Sequence, residues 1–218
     1  MKNVVMCQLS VMLESGLPSS IDYEKYARDF YKNINRDTFS LNLPIPDKNA
    51  WNQMPPEIPR IMCTSSDVDF NFSASNALFV LKGAHEGWNC ELTKLVSEAS
   101  RIFEDIGLSY KFNYRIGIVL TVQADHEALC KNASSYLDNA VSDKIEWQLS
   151  FLDQRNNNAL IVNRWKRFLQ NKNENFSNYV VDVNTSPNSQ INLRDNKIIE
   201  IFKTLNEVLR AAYDEFTE

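Results

Sequence analysis

The chain has 218 residues, 44% of them hydrophobic, 11% aromatic and 23% charged. That composition supports a packed core and excludes a disordered or low-complexity chain. A formal net charge of -5 disfavours a phosphate backbone as the main partner, and no apolar run approaches the ~18–20 residues that a membrane helix needs.

Residues 3–13 alternate loosely between apolar and polar and read as a first strand. Gln8 and Ser10 break the apolar run after Lys2 and no small-residue cleavage site follows. A secretory leader is therefore not expected, and the expected compartment is the cytoplasm. Gly16 to Ser20 is a turn. A helix follows, which Ser19 or Ser20 can cap, with Asp22 and Glu24 in its first turn and Tyr23, Tyr26, Ala27, Phe30, Tyr31 and Ile34 on one face.

Residues 38–60 hold five of the seven prolines: Pro44, Pro46, Pro55, Pro56 and Pro59. Proline fixes φ and cannot sit in a central strand, so this segment reads as an extended arm. It carries Trp51 and Met54, which must find cover on their own domain or on a partner.

Residues 60–82 read as two strands, with Val68, Phe70 and Phe72 alternating against Asp67, Asp69 and Asn71 and a return over Leu78–Lys82. A helix spans about Asn89–Ile106, with Leu92, Leu95, Val96, Ala99 and Phe103 inward and Gly107 as its C-cap. A long strand covers 109–123. Asp125 caps a further helix to about Ala140, with Leu129, Ala133, Tyr136 and Leu137 inward. Residues 144–153 alternate as a strand, and Asp153 to Asn158 is a polar loop. Strands over 159–169 and 179–184 follow. Asp195 opens a last helix with Ile198, Ile201, Leu205, Val208, Ala212 and Phe216 inward. No fixed-period repeat is visible.

Candidate chemistry is sparse. The only histidines, His85 and His126, read as surface residues of a turn and of a first helical turn. Cys7, Cys63, Cys90 and Cys130 follow no ligand spacing and read as buried, reduced thiols. Asp67 and Asp69 echo the paired carboxylates of nucleotidyl-transfer enzymes, but no Gly-Ser turn precedes them. Asp182 sits mid-strand, opposite in face to Val181 and Val183. Arg155, Arg164, Trp165, Lys166, Arg167 and Phe168 interleave cations with aromatics. Single-strand nucleic-acid binders use that mixture, but an exposed amphipathic edge strand accounts for it in an acidic protein.

The plan resembles a sporadically distributed, uncharacterised bacterial family of conserved proteins of about this length. Three stretches carry the resemblance: Val4–Leu13 with the helix Tyr23–Ile34 and Pro55-Pro56; Trp88–Val122, with the helix end Phe103-Glu104-Asp105-Ile106-Gly107-Leu108 and the strand Tyr114–Val122; and Val180–Thr185 with the helix Ile198–Phe216. The chain has Tyr114-Arg115-Ile116 where the family has Tyr-Val-Asn. The resemblance implies a cytoplasmic bacterial protein with no catalytic residue to carry over.

The expected fold is one α+β domain over 1–218, a mostly antiparallel twisted sheet packed by about four helices in the order β-α-β-β-α-β-α-β-β-β-α, with the Pro-rich arm at about 38–60. The expected function is a non-enzymatic protein-interaction module, an accessory, chaperone-like or antitoxin-like component of a bacterial defence or mobile-element locus. It uses no cofactor, metal or catalytic residue. The candidate interaction residues are Trp51, Met54, Arg164, Trp165 and Arg167, and the partner is another protein or a second copy, with nucleic acid and membrane disfavoured. Two alternatives stand beside it: a metal-dependent nucleotidyl-transfer or nuclease-type enzyme using Asp67, Asp69 and Asp182, and a small-ligand pocket between sheet and helices.

Overall fold

The computed structural model describes residues 2–13, 22–36, 38–44, 47–83, 87–105, 114–137, 147–157, 160–170, 176–186 and 198–217. In chain order the elements are β1 (Lys2–Leu13), α1 (Tyr23–Asn33), β2 (Ser40–Asn42), a 3-10 helix (Lys48–Gln53), β3 (Pro59–Thr64), β4 (Val68–Ser73) and β5 (Asn76–Lys82). Then follow α2 (Trp88–Asp105), β6 (Tyr114–Ala124), α3 (His126–Ser134), β7 (Trp147–Asn157), β8 (Leu160–Gln170), β9 (Ser177–Thr185) and α4 (Ile198–Thr217). The nine strands form one antiparallel sheet in the order β2-β3-β4-β5-β1-β6-β9-β8-β7. The α+β class and the mostly antiparallel sheet agree with the sequence reading.

The order conceals a duplication. The unit β1-α1-β3-β4-β5-α2 lies in the sheet as β3-β4-β5-β1, and the unit β6-α3-β7-β8-β9-α4 lies as β7-β8-β9-β6. The two units meet where β1 pairs antiparallel with β6, Leu9 opposite Ile118. The helices follow the same arrangement, with α2 on β1 and β5, α4 on β6 and β9, and α2 against α4. The residues of the two units are not alike, so no sequence period announces them.

One face of the sheet is covered by the helices. Its residues are apolar on almost every strand: Cys7, Leu9 and Val11 on β1, Phe70 and Phe72 on β4, Phe79 and Leu81 on β5, Ile118, Leu120 and Val122 on β6, and Val181 and Val183 on β9, all buried. The helices meet them with the stripes expected from a 3.6 period, including Phe30, Leu92, Leu95, Ala99, Leu205 and Phe216. Asp22 caps α1 by accepting from the Lys25 amide at 3.1 Å. The other face carries Gln8, Ser10, Asp69, Asn163, Trp165, Asp182 and Asn184, and no described helix packs on it.

Several boundaries differ from expectation. Residues 60–82 form three strands rather than two, because Ser65 turns the chain between β3 and β4: its hydroxyl donates to the Val68 carbonyl at 2.9 Å and accepts from the Val68 amide at 3.0 Å. The helix from His126 stops at Ser134. The amides of Ser135, Tyr136 and Leu137 each bond three residues back, tightening the end, and Tyr136 and Leu137 are exposed rather than inward. β7 runs through Asp153–Asn157, where the sequence suggests a loop, because each polar residue has a direct cross-strand partner on β8. His85, Gly107 and Asp195 lie outside the described residues.

The Pro-rich arm is built rather than loose. It contributes the edge strand β2 and the 3-10 helix, which Asp47 caps at the Asn49 amide. Buried Arg60 gathers its turns, donating from Nη1 to the carbonyls of Pro55 and Ile58 and from Nη2 to those of Trp51 and Met54. Trp51 is 4% exposed and belongs to the core of its own chain. Of the two kinds of cover it could find, the intramolecular one is what the fold provides.

Candidate functional site

The carboxylates that suggested a metal enzyme are dispersed. Asp67, in the β3–β4 turn, takes a bidentate hydrogen bond from Arg36 at 2.9 and 2.5 Å, and that guanidinium holds its carboxyl below the ordinary range. Asp69 pairs with Lys82 at 2.7 Å. Asp182 accepts from Asn184 at 2.8 Å and from Arg167 at 3.2 Å. Asp69 and Asp182 share a row of the open face, through Val80, Gln8 and Val119, so four strand spacings separate them, ~19 Å. They cannot ligate one ion together. Among the described residues no three His, Cys, Asp or Glu converge for a metal, and no helix is long and apolar enough to cross a membrane.

The basic run resolves differently from an exposed edge strand. β8 is the second strand from the edge, and its alternation divides the run between two faces. Trp165 and Arg167 point to the open face, half-buried, with the Arg167 guanidinium 5.7 Å from the Trp165 ring centre. Arg164 and Lys166 point under the helices, their side chains each 6% exposed. Of the remaining candidates, Met54 is half-buried in the arm, far along the sheet.

Around Arg164 and Lys166 the structure assembles a charged cluster from β7, β8 and α4. Arg164 binds Asp153 through Nε at 2.9 Å and Nη2 at 2.5 Å, and Glu215 through Nη1 at 2.9 Å. Lys166 donates to Glu215 and, at 2.7 Å, to the Tyr136 hydroxyl. Arg155 stands 3.9 Å from both acids. The Arg164 bonds hold the Asp153 carboxyl below its ordinary range against the opposing effect of burial. Burial works to raise the Glu215 carboxyl, and the bonds from Lys166 and Arg164 outweigh it and lower it.

A run of rings adjoins the charges. Tyr136 lies 4.9 Å from Phe151 and 5.6 Å from Phe168, Phe168 lies 5.0 Å from Tyr179, and Tyr179 stacks on Phe216 at 4.2 Å. Between rings and charges lies a pocket of about 190 Å³ lined by Tyr136, Phe151, Leu152, Asp153, Arg164 and Lys166. Glu215, Tyr136 and Asp153 have no place among the site residues expected from sequence, and Lys166 entered only as part of the cation–aromatic run. For Lys166 the signal was available: period-two spacing places Arg164 and Lys166 on the same face as Val162 and Phe168.

His126 is not a plain surface residue. Its Nδ1 lies 2.5 Å from the hydroxyl of fully buried Ser177. Cys130, one turn along α3, donates instead to Gln170 Oε1 at 3.1 Å. Cys7, Cys63 and Cys130 are buried and Cys90 is exposed, a departure from the expectation for all four.

The two borders of the sheet are unequal. β2 is three residues long and is followed within four residues by Pro44 and Pro46. β7 is eleven residues long, follows β8 without a bulge, and holds no proline or lysine. Among the described residues no strand lies beyond it. In the first unit the counterpart of β7 is β3, and β2 covers it. The connection that supplies β2 has 25 residues, 34–58, whereas the corresponding connection from α3 to β7 has 12, 135–146.

The chain matches no protein-family model, and no curated protein matches it either.

Proposed function

We propose that the chain is a non-enzymatic interaction protein that assembles by strand addition along β7, with a second copy of itself as the partner. The observation that carries this reading is the eleven-residue border β7, which holds no proline, lysine or bulge and has, among the described residues, no strand beyond it. Its outward backbone groups are a template for another strand, and sheets that stay single shield such a border with proline, lysine, a bulge or a very short strand. The opposite border has that protection.

The residues of β7 suit antiparallel pairing with themselves. With the two-fold axis at Leu152, all eleven residues find a partner. On the open face Leu152 meets Leu152 of the copy and Ser150 meets Gln154. On the helical face Leu149 meets Arg155 and Phe151 meets Asp153. No like charges stand directly opposite. Leu152, 46% exposed, gains apolar cover. The chain already joins its two units by the same kind of contact, β1 against β6.

Light scattering across a protein dilution series tests this. The expected result is a dimer that dissociates on dilution, and Leu152→Lys, which brings two ammonium groups together at the axis, should yield monomer with the melting temperature of the dilute, dissociated wild type. A wild-type protein that is monomeric at high micromolar concentration would sink the proposal.

A further inference from the structure

The two units treat corresponding strands very differently. β4 and β8 hold the same place in their units, second from the outer strand and under helices. On the helical face β4 presents Val68, Phe70 and Phe72, a dry aromatic layer in which Phe70 stacks on Phe79 at 4.6 Å and meets Phe30 at 5.1 Å. β8 presents Val162, Arg164, Lys166 and Phe168. Two cations therefore occupy a layer that the first unit fills with hydrocarbon. Desolvating a charge is costly, and a buried ion cluster is often no more stabilising than the apolar packing it replaces. The first unit shows that such packing suits this fold.

Four further features set these cations apart from a purely structural pair. They face a pocket of about 190 Å³, walled on the other side by Tyr136, Phe151 and Leu152. Their carboxylate partners are the more accessible members, with Asp153 46% and Glu215 43% exposed against 6% for each cation. The cluster carries three cations (Arg155, Arg164 and Lys166) against two carboxylates (Asp153 and Glu215), so it keeps a positive charge. Arg164 commits three N–H groups of its five to these acids and Lys166 two of its three, so donors remain for a further acceptor.

From this we infer that the pocket beside Arg164 and Lys166 is a binding site for a small carboxylate with an aromatic or branched apolar body. The carboxylate takes the remaining Lys166 and Arg164 donors, and its body lies against Tyr136 and Phe151. The volume is below that of a pocket for a drug-sized molecule, which restricts the ligand to a single ring or a short branched chain. Asp153, in the lining, and Glu215, bonded to both cations, keep the cations paired while the site is empty and reject ligands bearing a second negative charge. The site does not depend on assembly through β7.

Titration calorimetry with 3-phenylpropionate, and with 3-phenylpropionamide as its neutral counterpart of the same shape, tests the inference. The acid should bind saturably at millimolar concentration, about tenfold more tightly than the amide, since a charge-assisted hydrogen bond is the difference between them. Lys166→Met should remove that preference, bringing the two affinities together. Tyr136→Ala, at a position 40% exposed whose ring lies against Phe151 and Phe168, should weaken acid and amide alike, and it serves if Lys166→Met does not fold. No saturable binding of the acid, equal affinity for acid and amide in the wild type, or a Tyr136→Ala protein that binds both unchanged would overturn the inference. Because the titration needs no dimer, its failure leaves the β7 reading intact, and a monomeric protein leaves this one intact.

Discussion

Arg164 and Asp153 are direct partners across the β7–β8 ladder, and the guanidinium closes on the carboxylate with Nη2 to Oδ2 at 2.5 Å. One end of that pair is buried and the other reaches solvent. The bond therefore ties the outermost strand to the covered interior of the sheet.

Acid should expose this tie. The Asp153 and Glu215 carboxyls are both held below their ordinary range, as are Asp67 by Arg36 and Glu91 by Lys94 and, more weakly, Arg36. A group lowered on folding contributes stability that is present above its unfolded value, near pH 4, and lost as pH falls through the folded value. The melting temperature should accordingly be flat from neutral pH to about 5 and then decline below the ordinary carboxylate range. Asp153→Asn should lower the neutral plateau and make the acid decline shallower. A variant whose acid limb is as steep as that of the wild type would exclude this origin.

Gly117, the fourth residue of β6, lies between Ser10 and Asn184. A Cβ there would meet the Asn184 Cβ at 3.2 Å and the Ser10 hydroxyl at 3.5 Å. The Asn184 Cβ is fixed to its backbone and held by its side chain, whose oxygen accepts from Arg115 and Asn163. Gly117→Ala should cost about 1–3 kcal/mol by overpacking. Urea unfolding measures it, and a more stable variant would show that the row of amides can yield.

Trp51→Ala should destabilise the protein by about 3–5 kcal/mol, since it empties a core site. The loss should be the same at every protein concentration, because Trp51 is covered by its own chain. If the loss appears only at concentrations where the protein associates, the docking of the arm is misplaced.

Leu205→Ala tests α4. Leu205 is fully buried between α4 and the sheet, so truncation should cost about 2–5 kcal/mol. A change below about 0.5 kcal/mol, the scatter of a surface substitution, would mean that the helix does not rest there.

Thiol labelling separates the four cysteines. Burial pushes the Cys7 and Cys63 thiols up to about 12, which suppresses the thiolate at neutral pH. Cys130 is also buried, and Cys90 is exposed on α2. One rapid thiol in the native protein and four in denaturant is the expected titration. A second fast thiol in the native state would locate a part of the core that opens.

The sequence made the α+β class legible because period-two and period-3.6 patterns are clean where one face is apolar, as in Val68, Phe70 and Phe72 or in the α4 stripe. It failed where tertiary partners override composition. Asp153–Asn157 is as polar as a loop and stays in a strand because β8 offers it Arg164 and Asn163. The arm read as merely extended because nothing local reveals that Arg60, at its far end, would gather four of its carbonyls. The charged cluster was half visible. Arg164 stood out by its type, but its burial beside Lys166 depends on Glu215, some fifty residues away.

The place of β1 has a consequence for how the protein is made. The first strand in chain order is a central strand of the sheet, and its partner on one side, β6, ends at Ala124. During synthesis β1 can pair with β5 once residue 82 has emerged, yet its second border stays bare until β6 follows. For that interval the nascent first unit carries an open apolar-faced strand over Val4–Val11. Pairings this distant in sequence close slowly, so the second unit acts on the first as a late-arriving intramolecular chaperone.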